Sequence, residues 1–139
     1  DARLRDFARR YTAAWCSGNA ASVASFYSAD GSLCVNGGPA VVGRNAITGI
    51  AQGFMTAFPD MKVVMDNLLV DREQTVYRWT LIGTNTGPGG MGQKVRISGF
   101  EQWRMGADGL IAESRGHFDS AEYERQLELG VVESDREAS

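Results

Sequence analysis

VRISGFEQWRMGADGLIAESRGHFD, residues 95–119, is the stretch whose reading decides the fold. In its first arm Val95, Ile97, Gly99, Trp103 and Met105 fall in one row and Arg96, Ser98, Gln102 and Arg104 in the other, with Phe100 the apolar exception. Period-2 alternation of this kind marks a strand buried on one face. Gly106-Ala107-Asp108-Gly109 reverses the chain, and a second arm runs from Leu110 towards His117 and Asp119. The stretch therefore reads as a β-hairpin. Glu101 falls in its apolar row. A carboxylate costs several kcal/mol to desolvate unless something pairs with it, so an acid on a core face needs a reason. His117 is the one histidine of the chain, and it reaches the same hairpin.

Upstream of the hairpin, Met61 to Val70 and Thr75 to Thr84 read as two more strands, the second with Tyr77, Trp79 and Leu81 on one row. The run Gly87-Pro88-Gly89-Gly90-Met91-Gly92 joins them to the hairpin. It has neither the spacing nor the following helix of a phosphate cradle, and reads as a turn or lid. The N-terminal half is helical. Leu4, Phe7, Ala8, Tyr11, Ala14 and Trp15 recur at helical spacing over residues 3–17, and Gly18 stops them. Asn19 can cap a short second helix to about Tyr27. Asp30-Gly31 reads as a turn, Ser32 to Val35 as a short strand, and Asn36-Gly37-Gly38-Pro39 as a loop. A third helix runs from about Asn45 to Phe58 and is closed by Pro59. A last one spans Ser120 to Leu129, before a tail over 131–139.

Helices followed by a run of strands give the α+β class: three N-terminal helices packed on one face of a curved, largely antiparallel sheet, with a short C-terminal helix. All 139 residues fit one domain with a real core. Strong curvature leaves a cone between sheet and helices, with Tyr11, Trp15, Phe26, Phe54, Phe58, Trp79 and Trp103 as candidates to line it. The same aromatics serve equally well as ordinary core. A net charge of -3 without a Lys/Arg cluster argues against a nucleic-acid binder. No apolar run approaches the roughly 18 residues of a membrane span and no leader is visible, so the expectation is a cytoplasmic protein away from membranes. One histidine and two separated cysteines do not build a zinc site, and Cys16 and Cys34 read as small buried fillers. Neither a metal nor another cofactor is expected.

The order and spacing of several short segments resemble the SnoaL-like polyketide cyclases of the NTF2-like superfamily. They are Tyr11-Thr-Ala-Ala-Trp15, Phe58-Pro59-Asp60-Met61, Arg78-Trp79-Thr80, and Gly83-Thr84-Asn85-Thr86-Gly87. Met91-Gly92-Gln93-Lys94-Val95, Asp108-Gly109-Leu110-Ile111-Ala112-Glu113, His117-Phe118-Asp119 and Gln126-Leu127 complete the set. The resemblance implies a cone-shaped subunit that dimerises through its sheet. It also implies an aldol closure of a small hydrophobic carbonyl compound, with Asp119 at the position of the family's acid/base. Compared with the steroid isomerases of the superfamily, Tyr11 and Glu101 match the pair that holds the substrate oxygen, and Asn36 replaces the base. In the epoxide hydrolases an arginine precedes the hairpin acid by two residues; here that position is Gly99.

Each site residue also has a structural reading. Asp119-x-x-Glu122 has capping-box spacing at the mouth of the last helix. Glu101 is either an acid of raised pKa facing a site or a buried acid held by Tyr11 or an arginine. His117 shares a face of its strand with Arg115 and Asp119, and a bulge near Gly116 decides whether that face or Ser114, Gly116 and Phe118 looks inward. Arg78, Arg96, Arg104 and Arg115 are expected on the outer face. Three functions remain open: a cofactor-independent acid/base enzyme, a small-molecule-binding module, and a dimer whose cone is plugged by its own aromatics. A cavity of ~300–1,000 Å³ with an acid pointing in would favour the first two.

Overall fold

The structure is a computed structural model, and it describes residues 1–131. The tail expected over 131–139 lies outside these but for Val131. Helix α1 (Ala2–Cys16) buries Phe7, Ala8, Tyr11, Ala14 and Trp15, a stripe one turn wide, and Asp1 caps it by accepting from the N–H groups of Arg3 and Leu4. Helix α2 (Ala20–Ala24) is capped by Asn19, whose side chain accepts from the Ser22 N–H. Helix α3 (Arg44–Ala57) buries Ile47, Ala51 and Met55 at i, i+4 and i+8. The strands are β1 (Tyr27–Val35), β2 (Val41–Val42), β3 (Lys62–Val70), β4 (Thr75–Thr84), β5 (Lys94–Met105) and β6 (Ile111–Phe118), followed by helix α4 (Ser120–Leu129). None of the described helices is long and apolar enough to cross a membrane.

The six strands form one sheet in the order β2-β1-β6-β5-β4-β3. All pairings are antiparallel except β1 with β6, so the sheet is mixed. That parallel pair is what the helical first half makes possible: β1 and β6 are joined by most of the chain, not by a turn. Helices α1 and α3 lie on the sheet face that carries Leu33, Val63, Leu68, Tyr77, Leu81, Val95, Ile97, Trp103 and Ile111, all buried.

Two local readings of the sequence are corrected. Asp30-Gly31 is no turn: it lies inside β1, where the register with β6 slips between Tyr27 and Ser32. A Cβ on residue 31 would sit 2.9 Å from the Ile111 carbonyl oxygen, so glycine here permits close approach of strands, not reversal. Cys16 is exposed, its Sγ set between the backbone N–H and C=O of Val63, and Cys34 is half-buried. The four arginines expected on the outer face, Arg78, Arg96, Arg104 and Arg115, are all exposed.

Gly99 is the tightest point of the sheet. It faces Trp79 on β4 and Phe118 on β6. A side-chain carbon there would collide with the His117 carbonyl oxygen and lie 2.6 Å from Trp79 Cζ2. Gly99→Ala is therefore expected to destabilise the fold by about 2 kcal/mol through overpacking, read as a lower urea midpoint with an unchanged slope.

Candidate active site

Along β5 the residues Ile97, Gly99, Glu101 and Trp103 point to the helix-covered face, as period 2 requires. Glu101 is thereby buried. Three donors converge on its Oε1: Trp103 Nε1 at 2.8 Å, Ser114 Oγ at 2.8 Å and Tyr11 Oη at 3.0 Å. Its Oε2 has one long contact, 3.3 Å from the same Tyr11 hydroxyl. Each donor has a topological reason. Trp103 is two residues along the same strand, and Ser114 is its partner across the β5–β6 ladder. Tyr11 descends from the buried stripe of α1, and its hydroxyl also lies 2.9 Å from that of Tyr27. Directly opposite Glu101 is Gly116, where a Cβ would lie 3.8 Å from Glu101 Cγ, in ordinary contact.

No described salt bridge includes Glu101. Burial raises its pKa above the ordinary 4.5, and the hydrogen bonds from Trp103, Ser114 and Tyr11 pull it partly back. The Tyr11 and Tyr27 hydroxyls are pushed well above 10.0, first by burial and then by the nearby Glu101 charge, so both are donors at neutral pH.

Glu101 stands in the wall of a cavity of about 70 Å³. Leu33, Val35, Ile50, Val63, Leu81 and Ile97 supply its aliphatic walls, Trp15, Phe54, Tyr77 and Trp79 its aromatic ones, and Phe118 and Tyr123 one side. Glu101 belongs to the lining, yet the volume falls below the ~300–1,000 Å³ of whole small-molecule sites. It has room for one slender group.

Of the residues expected to line a hollow, Trp15, Phe54 and Trp79 do so. Trp103 does not line it: its ring stacks on Tyr77 at 4.9 Å while its N–H serves Glu101. Phe58 is fully buried and packs against Tyr123 and Gly83. Phe26 sits beyond Tyr11, edge-on to Phe7 at 5.2 Å. Asn36 takes the left-handed conformation, with φ 52°, and its Oδ1 accepts from the Phe118 N–H at 2.9 Å. It latches the ends of β1 and β6 together.

The face of β6 that looks inward carries Ser114, Gly116 and Phe118. His117 therefore lies on the outer side, stacked on Phe100 at 4.8 Å and hydrogen-bonded to Gln102 Oε1 at 2.9 Å. Asp119 is exposed and caps α4, its Oδ1 accepting from the Glu122 N–H at 3.0 Å. Both border a broad outer hollow with Asp66, Arg78 and Ser98, on the other side of the sheet from Glu101. The structure thus brings Tyr11 to Glu101 on the inner face and places His117 and Asp119 on the outer side. Sequence reasoning left Ser114 as one of two alternatives for the inward face and missed Tyr27, which only the packing of distant segments brings to Tyr11. Among the described residues no group of three or more His, Cys, Asp or Glu side chains is placed to hold a metal ion.

A sheet of this order, helices on its inner face and a carboxyl at the bottom of the enclosed space define an NTF2-like, ketosteroid isomerase-like fold. A model of the SnoaL-like polyketide cyclases matches residues 5–127, and the chain belongs to that family. Among similar solved structures is a protein of ketosteroid isomerase-like fold from Catenulispora acidiphila, with TM-score 0.77, 15% identity, and 88% of this chain and 92% of that one covered. TsrD from Streptomyces laurentii has TM-score 0.77 and 19% identity over 91% and 95% of the two chains. SalBIII, an epoxide hydrolase/cyclase-like enzyme, has TM-score 0.73 and 14% identity over 86% and 93%. No curated protein sequence matches the chain.

The raised pKa of Glu101 has a stability consequence. Because the folded state holds this proton more tightly than the unfolded chain, its contribution is complete below pH 4.5 and is lost as pH rises through the folded value. Urea midpoints taken from pH 4 upward should fall in wild type relative to Glu101→Gln, which has no proton to lose there. Parallel profiles would exclude the assignment.

Proposed function

We propose that the chain is a cofactor-independent acid/base enzyme that enolises or closes a small hydrophobic carbonyl compound, with Glu101 as its proton-handling group. One observation carries this reading: a carboxyl group without a cationic partner among the described ion pairs lines an apolar cavity, with three donors on Oε1 and one long contact on Oε2. The ionised Oε2 takes a proton from the carbon next to the substrate carbonyl. The resulting carbanion attacks a second carbonyl of the same molecule, and the neutral carboxyl returns the proton to the new alkoxide. Proton and charge balance over the cycle without a further reactant. A carboxylate made more basic by burial suits this task, since a base works best when its pKa approaches the working pH. Tyr11, held as a neutral phenol, stabilises Glu101 while it is charged. Membership of a cyclase family supports the reaction class. The narrow cavity supports a substrate that seats one slender portion beside Glu101 and extends the rest past Phe118 and Tyr123.

The assignment of Asp119 as the acid/base gives way in this reading to Glu101, because the capped, exposed Asp119 carboxylate lies outside the cavity. The test needs no knowledge of the full substrate. Hydrogen–deuterium exchange at the α-carbon of indanone in D₂O, followed by NMR, should be accelerated by the wild-type protein. Glu101→Gln should lower that acceleration at least ~10²-fold, and Asp119→Asn should leave it unchanged. The reverse pattern, or no acceleration by wild type, sinks the proposal.

We also propose that the chain is a homodimer across the outer sheet face. Val64, Leu69 and Ile82 stand there 46%, 48% and 41% exposed, more apolar surface than a solvated sheet face needs. Sedimentation should give the mass of two chains, and Ile82→Lys should shift it to one; a wild-type monomer at micromolar concentration would rule the dimer out.

A further inference from the structure

The cavity beside Glu101 measures about 70 Å³. The outer hollow measures about 750 Å³, within the ~300–1,000 Å³ of small-molecule sites. Among the described residues one belongs to the lining of both spaces, Phe118. Topology explains why. Phe118 is the last residue of β6. Its partner on β5 is Gly99, which has no side chain, and on the other flank β1 has already ended at Val35. The preceding residue of the inward row, Gly116, is bare as well. The half-buried Phe118 ring therefore stands alone at this corner of the sheet. Its backbone is pinned, the N–H donating to Asn36 Oδ1 at 2.9 Å. The ring meets Trp79 and Tyr123 edge-on, at 6.1 and 5.4 Å. Turning about χ1 moves such a ring from one staggered well to another without moving the strand.

We propose that the ligand site runs past Phe118 into the outer hollow, and that Phe118 decides which molecules it accepts. The ligand is elongated, with a slender apolar carbonyl end beside Glu101 and a neutral, hydroxyl-bearing tail in the hollow. This rests on the reading of the inner cavity as the active site and deepens it. The lining of the hollow sets the chemistry of the tail. Asn36 Nδ2 and the Arg78 guanidinium, which lies over the Phe100 ring at 5.7 Å, are donors. Asp66 and Asp119 each keep one carboxylate oxygen beyond the one that accepts from Thr80 or from the Glu122 N–H. A hydroxyl group both donates and accepts, and so matches this mixture. Two carboxylates against one guanidinium and one imidazole give no excess of positive charge to select an anion. Val64, Leu69 and Ile82, the surface proposed for the dimer, are not part of this lining.

The test uses acetophenone and a longer analogue, the biphenyl that carries an acetyl group at one end and a hydroxyl at the other. His117 is the one histidine of the chain and borders the hollow, so its imidazole signals report on that space without ambiguity. The biphenyl ketone should shift them and acetophenone should not. Phe118→Ala should raise the preference for the biphenyl ketone over acetophenone at least ~5-fold in Kd ratio, and Phe118→Trp should lower it. If Phe118→Ala does not fold, Phe118→Leu should move the ratio in the same direction. Replacing the hydroxyl of the biphenyl by a carboxylate should weaken binding. Biphenyl binding that leaves His117 unmoved, an unchanged ratio in these variants, tighter binding of the carboxylate, or binding of neither ketone overturns the proposal. Failure of Glu101→Gln to slow exchange would remove the acid/base reading and leave these binding contrasts readable, so the two ideas fail separately.

Discussion

The carboxyl of Glu101, taken out of water without a cation, constrains the rest of the molecule. Such a group survives burial only if donors replace its hydration, and here they come from three elements that are far apart in the chain: α1, β5 and β6. Pulling one donor away leaves a buried acid under-satisfied, so α1 must dock at one height on the sheet and β6 must pair with β5 in one register.

The interior is divided around this group. Towards one end Phe7, Tyr11, Phe26, Tyr77 and Trp103 interlock, with ring centroids 4.9 to 5.8 Å apart in their closest pairs, and form ordinary close-packed core. Towards the other end Trp15 and Phe54, edge-on to each other at 6.2 Å, and Trp79 line the cavity. Both readings of the aromatics, lining and filler, are therefore realised, by different residues. Glu101 sits at the seam, held by Tyr11 and Trp103 of the packed half and in the lining of the cavity.

Asp119 carries a lesson about transferring a role along a chain. The sequence resemblance offered it as the acid/base directly after the last strand, yet its oxygen accepts from the first turn of α4, and its carboxylate is on the solvent side. A helix N-cap of this kind typically contributes about 1 kcal/mol. The capping-box spacing announced that role. What placed the residue outside the cavity is the parity of β6, which turns Ser114, Gly116 and Phe118 inward and leaves His117 and its neighbours on the outer face.

Much of the architecture was legible from local pattern. The period of 3.6 in α1 and α3 and of 2 in β4 and β5 located these elements within a residue or two, because each has one wet and one dry face. The alternation in β5 also placed Glu101 on the dry side. Where a segment's conformation follows from contacts with distant chain, the sequence was silent: Gly31 reads as a turn residue and is a bulge pressed against β6, and the two-residue β2 has no periodicity to detect. The site divides along the same line. An acid in an apolar row announces itself locally, since its desolvation cost is a property of the residue and its face. That Ser114, Tyr27 and Trp103 would surround it, and that Asp119 would not, depended on strand register and parity, which are settled only when all the strands pack at once.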